Sequence, residues 1–213
     1  MNHLIVSCQR TGSTYFGDKF LGDLYNDTPV FLNEWASDKH GDRTHLSFDE
    51  LSRSYITTYF SDTIFIHKLF GEHVTVNNPA VNNFQRHLFK YTNKFYFLYR
   101  KDVTAQIYSL LHAKQTGVFQ RRKNVGAQSE LVDIDIDGWV TGETVIKHNY
   151  DYMLEFANNL PAHSDVDIIC LEEDLPHEPY YSTACYTDDT FKCSFGTEYH
   201  EKFQALKKRF VDK

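Results

Sequence analysis

Short apolar runs recur along the chain and predict the strands of a sheet. They are rich in Ile, Val, Phe and Tyr and are too short to form helices, which is typical of strands buried on both faces. These runs span residues 3–8, 63–69, 94–99 and 166–171.

Amphipathic segments between the apolar runs predict helices. Ser47 and Glu50 make a capping-box pattern that opens a helix ending near Tyr59, and Pro79 follows Asn78 as at a helix start. Three further helices are predicted over residues 102–116, 142–160 and 197–210. Because strands alternate with helices, we expect an α/β fold of three layers, with a central, mostly parallel sheet flanked by helices.

Two long stretches, 26–44 and 118–141, lack a regular pattern. Loops of this length in a compact domain are more often functional than idle, so we expect both to border the substrate.

Composition narrows the class of protein. A chain of 213 residues with 41% hydrophobic and 24% charged residues is typical of one globular domain, here 1–213. The net charge of −7 argues against nucleic-acid binding through a basic face. The four cysteines form no CxxC pair. The sequence also has neither a secretory signal pattern nor a run of eighteen apolar residues. We therefore expect a cytoplasmic protein without a membrane span. The 11 histidines form no HxxxH or HExxH pair, and no metal is expected.

The first apolar run leads directly into a small, hydroxyl-rich turn that opens a helix. Backbone N–H groups of such a turn converge on one point, where the helix dipole also favours an anion. The candidate ligands of a phosphate or sulfate are Arg10, Thr11, Gly12, Ser13 and Thr14. A Walker motif would place its lysine at Ser13, so this P-loop-type turn lacks the group that binds triphosphates. A plain strand–helix turn without a ligand is the alternative.

A second group of anion-binding residues follows the run at 94–99. Arg100 and Lys101 come directly after it, and Ser109 lies two turns into the next helix. The ends of neighbouring strands in an open α/β sheet share one crevice, so these groups can face the first turn across it.

Together the two segments resemble sulfotransferases that use 3′-phosphoadenosine 5′-phosphosulfate (PAPS). RTGST at 10–14 is similar to the family's [KR][ST]G[ST]T turn. The segment 100–117 looks like the RRDxxxQAVSLxxAxQTG stretch of the branch that contains the bacterial trehalose 2-sulfotransferases, with Lys101 replacing the second arginine. The resemblance covers about residues 4–117, and 171–175 weakly resembles the family's YEDL.

The resemblance implies in-line transfer of a sulfuryl group from PAPS to an acceptor hydroxyl, without a metal. Arg10 would stabilise charge on the leaving phosphate, and the turn would hold the 5′-phosphate. A second set, Arg100, Lys101 and Ser109, would bind the 3′-phosphate. Glu34 has the spacing of the family's general base, with His67 as runner-up.

The acceptor class and the competing functions stay open at this point. A hydroxyl-bearing small molecule or glycan is the expected partner, and a homodimer is one option. The aromatic rings of Phe31, Trp35, Phe119 and Trp139 can stack on a sugar or pack in the core. A degenerate P-loop kinase, for which Asp102 is the one candidate magnesium ligand, and a non-catalytic nucleotide-binding module are the alternatives.

Overall fold

The computed structural model describes residues 1–13, 16–21, 30–32, 47–60, 64–70, 79–116, 134–175 and 191–211. Its strands are β1 (Asn2–Ser7), β2 (Val30–Leu32), β3 (Phe65–Phe70), β4 (Lys94–Tyr99) and β5 (Val166–Cys170). Its helices are α1 (Phe48–Tyr59), α2 (Pro79–Tyr91), α3 (Val103–Thr116), α4 (Ile136–Asn158), α5 (Leu171–Asp174) and α6 (Gly196–Val211). A π-helical segment, Phe16–Leu21, follows the first turn. Within these residues, no helix is long and apolar enough to cross a membrane.

The strands form one sheet in the order β2-β3-β1-β4-β5, and every neighbouring pair is parallel. The prediction of an α/β fold with a parallel sheet is therefore confirmed. The chain fills the sheet on one side of β1 with β2 and β3 and then crosses to β4 on the other side. Open α/β sheets bind their ligands in the crevice formed at such a reversal, which here corresponds to the carboxyl ends of β1 and β4.

Both faces of the sheet are buried by apolar side chains. On one face, residues such as Leu4 and Phe97 pack with side chains of α1, α2, α3, α4 and α6 in the larger core cluster. On the other face, Ile5 and Leu98 pack with Phe16 of the π-helical segment. The three-layer arrangement follows from the continuous apolar runs of the strands, which leave no polar face toward water.

Helix α4 begins earlier than the sequence pattern predicts. Asp135 caps it by accepting a hydrogen bond from the Gly138 N–H at 2.7 Å. The predicted start, Gly142, lies inside the helix, at a position where a Cβ would be 2.8 Å from Cγ2 of Ile107. The glycine thus allows α4 to approach α3 closely, and the prediction of an irregular segment up to residue 141 is wrong from residue 136 onward.

The aromatic residue of that segment belongs to the core. Trp139 is 3% exposed and its ring lies 5.0 Å from Tyr108 and 5.3 Å from Phe191, measured between centroids. Of the two alternatives for this side chain, core packing is therefore correct. The short strand β2 lies in the other stretch predicted to be irregular.

Replacing Phe156 with alanine is expected to lower the free energy of unfolding by about 3–5 kcal/mol, because a large ring leaves a cavity in a close-packed core. Phe156 is fully buried, and its ring lies 5.1 to 6.3 Å from those of Phe89, Phe95 and Phe97. Urea unfolding followed by circular dichroism measures the change. Phe60→Ala is the control, since Phe60 is 73% exposed. Equal losses in the two variants would contradict the assignment of the core.

Candidate functional site

The turn after β1 has the backbone conformation of an anion-binding concavity. Arg10 and Gly12 both have positive φ angles, 65° and 71°, and Thr11 between them does not. Such alternation turns successive N–H groups toward one side of the chain. A left-handed arginine costs on the order of 1 kcal/mol, and strain of this kind clusters at functional sites.

Contacts within the turn decide which of its predicted ligands can reach an anion. The hydroxyl of Thr11 is fully buried and donates to the carbonyl of Cys8 at 2.8 Å, so it stabilises the turn itself. Ser13 is 5% exposed at the start of the following helical turn. The N–H of Phe16 then donates to the carbonyl of Gly12 at 2.9 Å. Thr14 lies outside the described residues.

The end of β4 presents a buried arginine that already holds a carboxylate. Arg100 is 7% exposed, and its Nε donates to Oε1 of Glu172 at 2.8 Å. The other carboxylate oxygen accepts from the N–H of Lys101 at 2.9 Å. The side chain of Lys101 is exposed and pairs with Glu173 at 2.8 Å. Both cations predicted at this strand end thus have acidic partners on α5.

The pairing with Glu172 involves only one edge of the Arg100 guanidinium group. Glu172 contacts its Nε edge, and no group among the described residues hydrogen-bonds to Nη1 or Nη2. Burial alone would raise the pKa of Glu172, but the charge of Arg100 and the hydrogen bonds from Arg100 and Lys101 lower it below its ordinary value. The carboxylate is therefore ionised near neutral pH and keeps the arginine in place.

Two hydrogen bonds join the β1 turn to helix α3, which follows β4. Nε of Arg10 donates to Oγ of Ser109 at 2.8 Å. The side-chain amide of Gln106 donates to the carbonyl of Gln9 at 2.6 Å. The structure therefore brings together the two segments that the sequence indicated separately.

A buried tyrosine of α4 completes this connection. The hydroxyl of Tyr150 accepts from the N–H of Arg100 at 2.9 Å and lies 2.6 Å from Oε1 of Gln106. Burial raises its pKa well above the ordinary value, so the phenol keeps the proton that it donates. Sequence reasoning missed this residue because one tyrosine among 14, outside any motif, carries no local signal.

The two candidate bases have different outcomes. Glu34 lies outside the described residues. His67 is fully buried in β3, where its Nε2 lies 3.2 Å from Oδ1 of Asn2 and 3.3 Å from Oγ1 of Thr58. Its ring centroid is 4.5 Å from that of Tyr55, on the face covered by α1. This is the position of a hydrogen-bonded core histidine, away from the carboxyl ends of β1 and β4.

Tyr150→Phe is expected to lower the free energy of unfolding by about 1–3 kcal/mol, because the Arg100 N–H and the Gln106 carbonyl would lose their partner in a buried place. Tyr152→Phe on the same helix is the matched control, since Tyr152 is only half-buried. Chemical unfolding at neutral pH compares the two. Equal stability of both variants would contradict the role of the Tyr150 hydroxyl.

The stabilising effect of Glu172 should depend on pH. Its folded-state pKa is lowered, so its contribution is present above the unfolded-state pKa of about 4.3 and is lost as the pH falls through the folded value. Glu172→Gln should therefore be less stable than the wild type at pH 7, and the difference should shrink in acid. Unfolding curves from pH 7 to about 3 test this, with exposed Glu155→Gln as control. A difference that is constant with pH would refute the ion pair as its source.

No protein-family model matches the chain, and no curated protein sequence matches it. What the crevice binds therefore has to follow from its own chemistry. The turn with Arg10 follows β1 and is hydrogen-bonded to Ser109 of α3, and Arg100 lies at the end of the neighbouring strand β4. Each of the two strand ends therefore carries a cation that an anionic ligand could contact.

Proposed function

We propose that this protein is a PAPS-dependent sulfotransferase that transfers a sulfuryl group to the hydroxyl of an acceptor, with a carbohydrate as the favoured class. The hydrogen bond between Arg10 and Ser109, 2.8 Å long, is the observation that carries the proposal. It joins the two segments that resemble the 5′- and 3′-phosphate elements of that family. A donor with a phosphate at each end of its adenosine would bridge them.

The turn suits a sulfuryl donor better than a nucleoside triphosphate. Ser13 stands where a Walker motif has lysine, the group that reaches the β- and γ-phosphates. A sulfuryl group carries less negative charge than a γ-phosphoryl group, so neither that lysine nor magnesium is required. The turn N–H groups and Arg10 would bind the 5′-phosphate, and Arg10 would stabilise the charge that develops on the leaving oxygen.

The end of β4 retains the donors that a 3′-phosphate needs. Among the described residues Arg100 is paired only through Nε, and Ser109 accepts from Arg10, so the Nη groups and the Ser109 hydroxyl proton can donate to phosphate oxygens. The pair of Lys101 and Glu173 is exposed and thus weak, so a phosphate can compete for the ammonium group. Gln106 and Tyr150 would act as positioning residues, since they fix the distance between the two strand ends.

The general base in this proposal is Glu34, by the resemblance alone. His67 is not retained, because it is hydrogen-bonded inside the core. The kinase alternative also loses support, since Oδ1 of Asp102 accepts from the N–H of Ala105 at 2.9 Å and so caps α3. A non-catalytic nucleotide-binding module is the second candidate, favoured by the acidic partners that already neutralise Arg100 and Lys101.

Calorimetry with adenosine 3′,5′-bisphosphate tests the donor site. We expect binding, and we expect Arg100→Ala to weaken it by about 10- to 100-fold, the effect of a lost hydrogen bond to a charged group. Ser109→Ala should narrow the preference for the bisphosphate over adenosine 5′-monophosphate. Exposed Arg53 on α1 supplies the control, Arg53→Ala. Absence of binding at millimolar ligand, or equal binding by the Arg100 and Arg53 variants, would contradict the proposal.

An assay of product formation distinguishes a sulfotransferase from a non-catalytic nucleotide-binding module. With PAPS and a panel of hydroxyl acceptors that includes trehalose, the wild type should form a sulfated product. Arg10→Ala should lower kcat by about 10²–10³-fold, because it removes a donor to the developing charge. Product analysis by mass spectrometry gives the rates. PAPS binding without any product would favour the non-catalytic module.

A further inference from the structure

Three metal-ligating side chains converge beyond the carboxyl end of β5, outside the crevice between β1 and β4. They are the thiol of Cys170, a carboxylate oxygen of Glu173 on α5 and a ring nitrogen of His200 on α6, and these atoms all lie within 4.8 Å of one another. Thiolate, imidazole and carboxylate together are a ligand set that zinc favours. We propose that Cys170, Glu173 and His200 bind a divalent transition metal ion, with Zn²⁺ as the best fit.

The distance between the Glu173 and His200 ligand atoms is close to that of a tetrahedral site, and the Cys170 thiol lies within 4.8 Å of both. Ligand atoms 2.0–2.3 Å from a zinc ion are about 3.5 Å from one another in a tetrahedron. Oε1 of Glu173 and Nε2 of His200 are already 3.7 Å apart. Small side-chain rotations would therefore complete a site of three protein ligands, with a fourth position for water.

Neighbouring side chains hold two of the ligands in place. Nδ1 of His200 lies 3.1 Å from the phenol oxygen of Tyr99, and a proton on Nδ1 would leave Nε2, which faces Glu173, as the ligand atom. The amide of Gln204 donates both to that phenol at 3.1 Å and to Oε2 of Glu173 at 3.3 Å. Outer contacts of this kind orient histidine and carboxylate ligands in metal sites.

Two features oppose the metal and make the proposal testable. Nζ of Lys101 lies 2.8 Å from Oε1 of Glu173, so the ammonium group competes for a ligand atom. The thiol of Cys170 must also lose its proton to bind a metal ion, because the thiolate is the ligand, so the affinity should rise with pH.

The sequence pattern could not indicate this site. Its ligands come from three elements: Cys170 and Glu173 are three positions apart but match no metal-binding motif, and His200 follows only after 26 intervening residues. The lack of HxxxH and HExxH pairs predicts that no metal is bound, and the proposed site departs from that prediction. Its test does not depend on the proposed function.

The test uses the full chain without a histidine tag, freed of metal, and titrated with ZnCl₂ in a calorimeter. We expect one strong site, weakened at least about tenfold by Cys170→Ser and by His200→Gln. Cys193→Ser and His148→Gln are matched controls at a half-buried cysteine and an exposed histidine. Lys101→Met should bind Zn²⁺ more tightly than the wild type, because it removes the competing charge.

Two further readouts keep the result decisive if a variant folds poorly. Co²⁺ should give the absorption of a thiolate-bound ion in the wild type and in Cys193→Ser, and not in Cys170→Ser. Zn²⁺ should raise the unfolding temperature of the wild type through mass action, and less so that of His200→Gln. No Zn²⁺ binding by the wild type, or equal binding and equal stabilisation in the ligand and control variants, would overturn the proposal.

Discussion

The hydroxyl of Tyr150 is the contact on which the geometry of the crevice depends. It accepts the N–H of Arg100 after β4 and bonds Gln106, whose amide holds the carbonyl of Gln9 after β1. Parallel pairing fixes the two strands side by side, but it does not fix the turns beyond their ends. The buried phenol does this, because leaving its partners without hydrogen bonds would be costly. The phenol therefore connects the backbone after β1, through Gln106, to the backbone after β4.

The short helix α5 sets the charge at the carboxyl end of β4. Glu172 bridges the side chain of Arg100 and the backbone of Lys101, and Glu173 pairs with the ammonium group of Lys101. An anion near Lys101 and a metal ion near Glu173 would both compete with this one exposed ion pair. Occupation of either site would therefore favour the other, and such coupling is reciprocal.

Local signals predicted most of the fold, and distant contacts account for what they missed. Strands β1, β3, β4 and β5, the capping box of Ser47 and the parallel sheet follow from apolar runs and caps that each lie within a few residues, whereas β2 was not predicted. The approach of Arg10 and Ser109 was predictable because adjacent strand ends share a crevice. The pairing of Arg100 with Glu172, 72 residues away, has no local signature. The same holds for Tyr150, which is 44 residues from Gln106.

The central claim is that the ends of β1 and β4 form two halves of one ligand site. A crystal structure of the chain with adenosine 3′,5′-bisphosphate tests it most directly. The account predicts the 5′-phosphate against the N–H groups of the turn at Arg10 and Gly12, and the 3′-phosphate against Arg100 and Ser109. A nucleotide bound elsewhere, or one that contacts only one of the two strand ends, would contradict it.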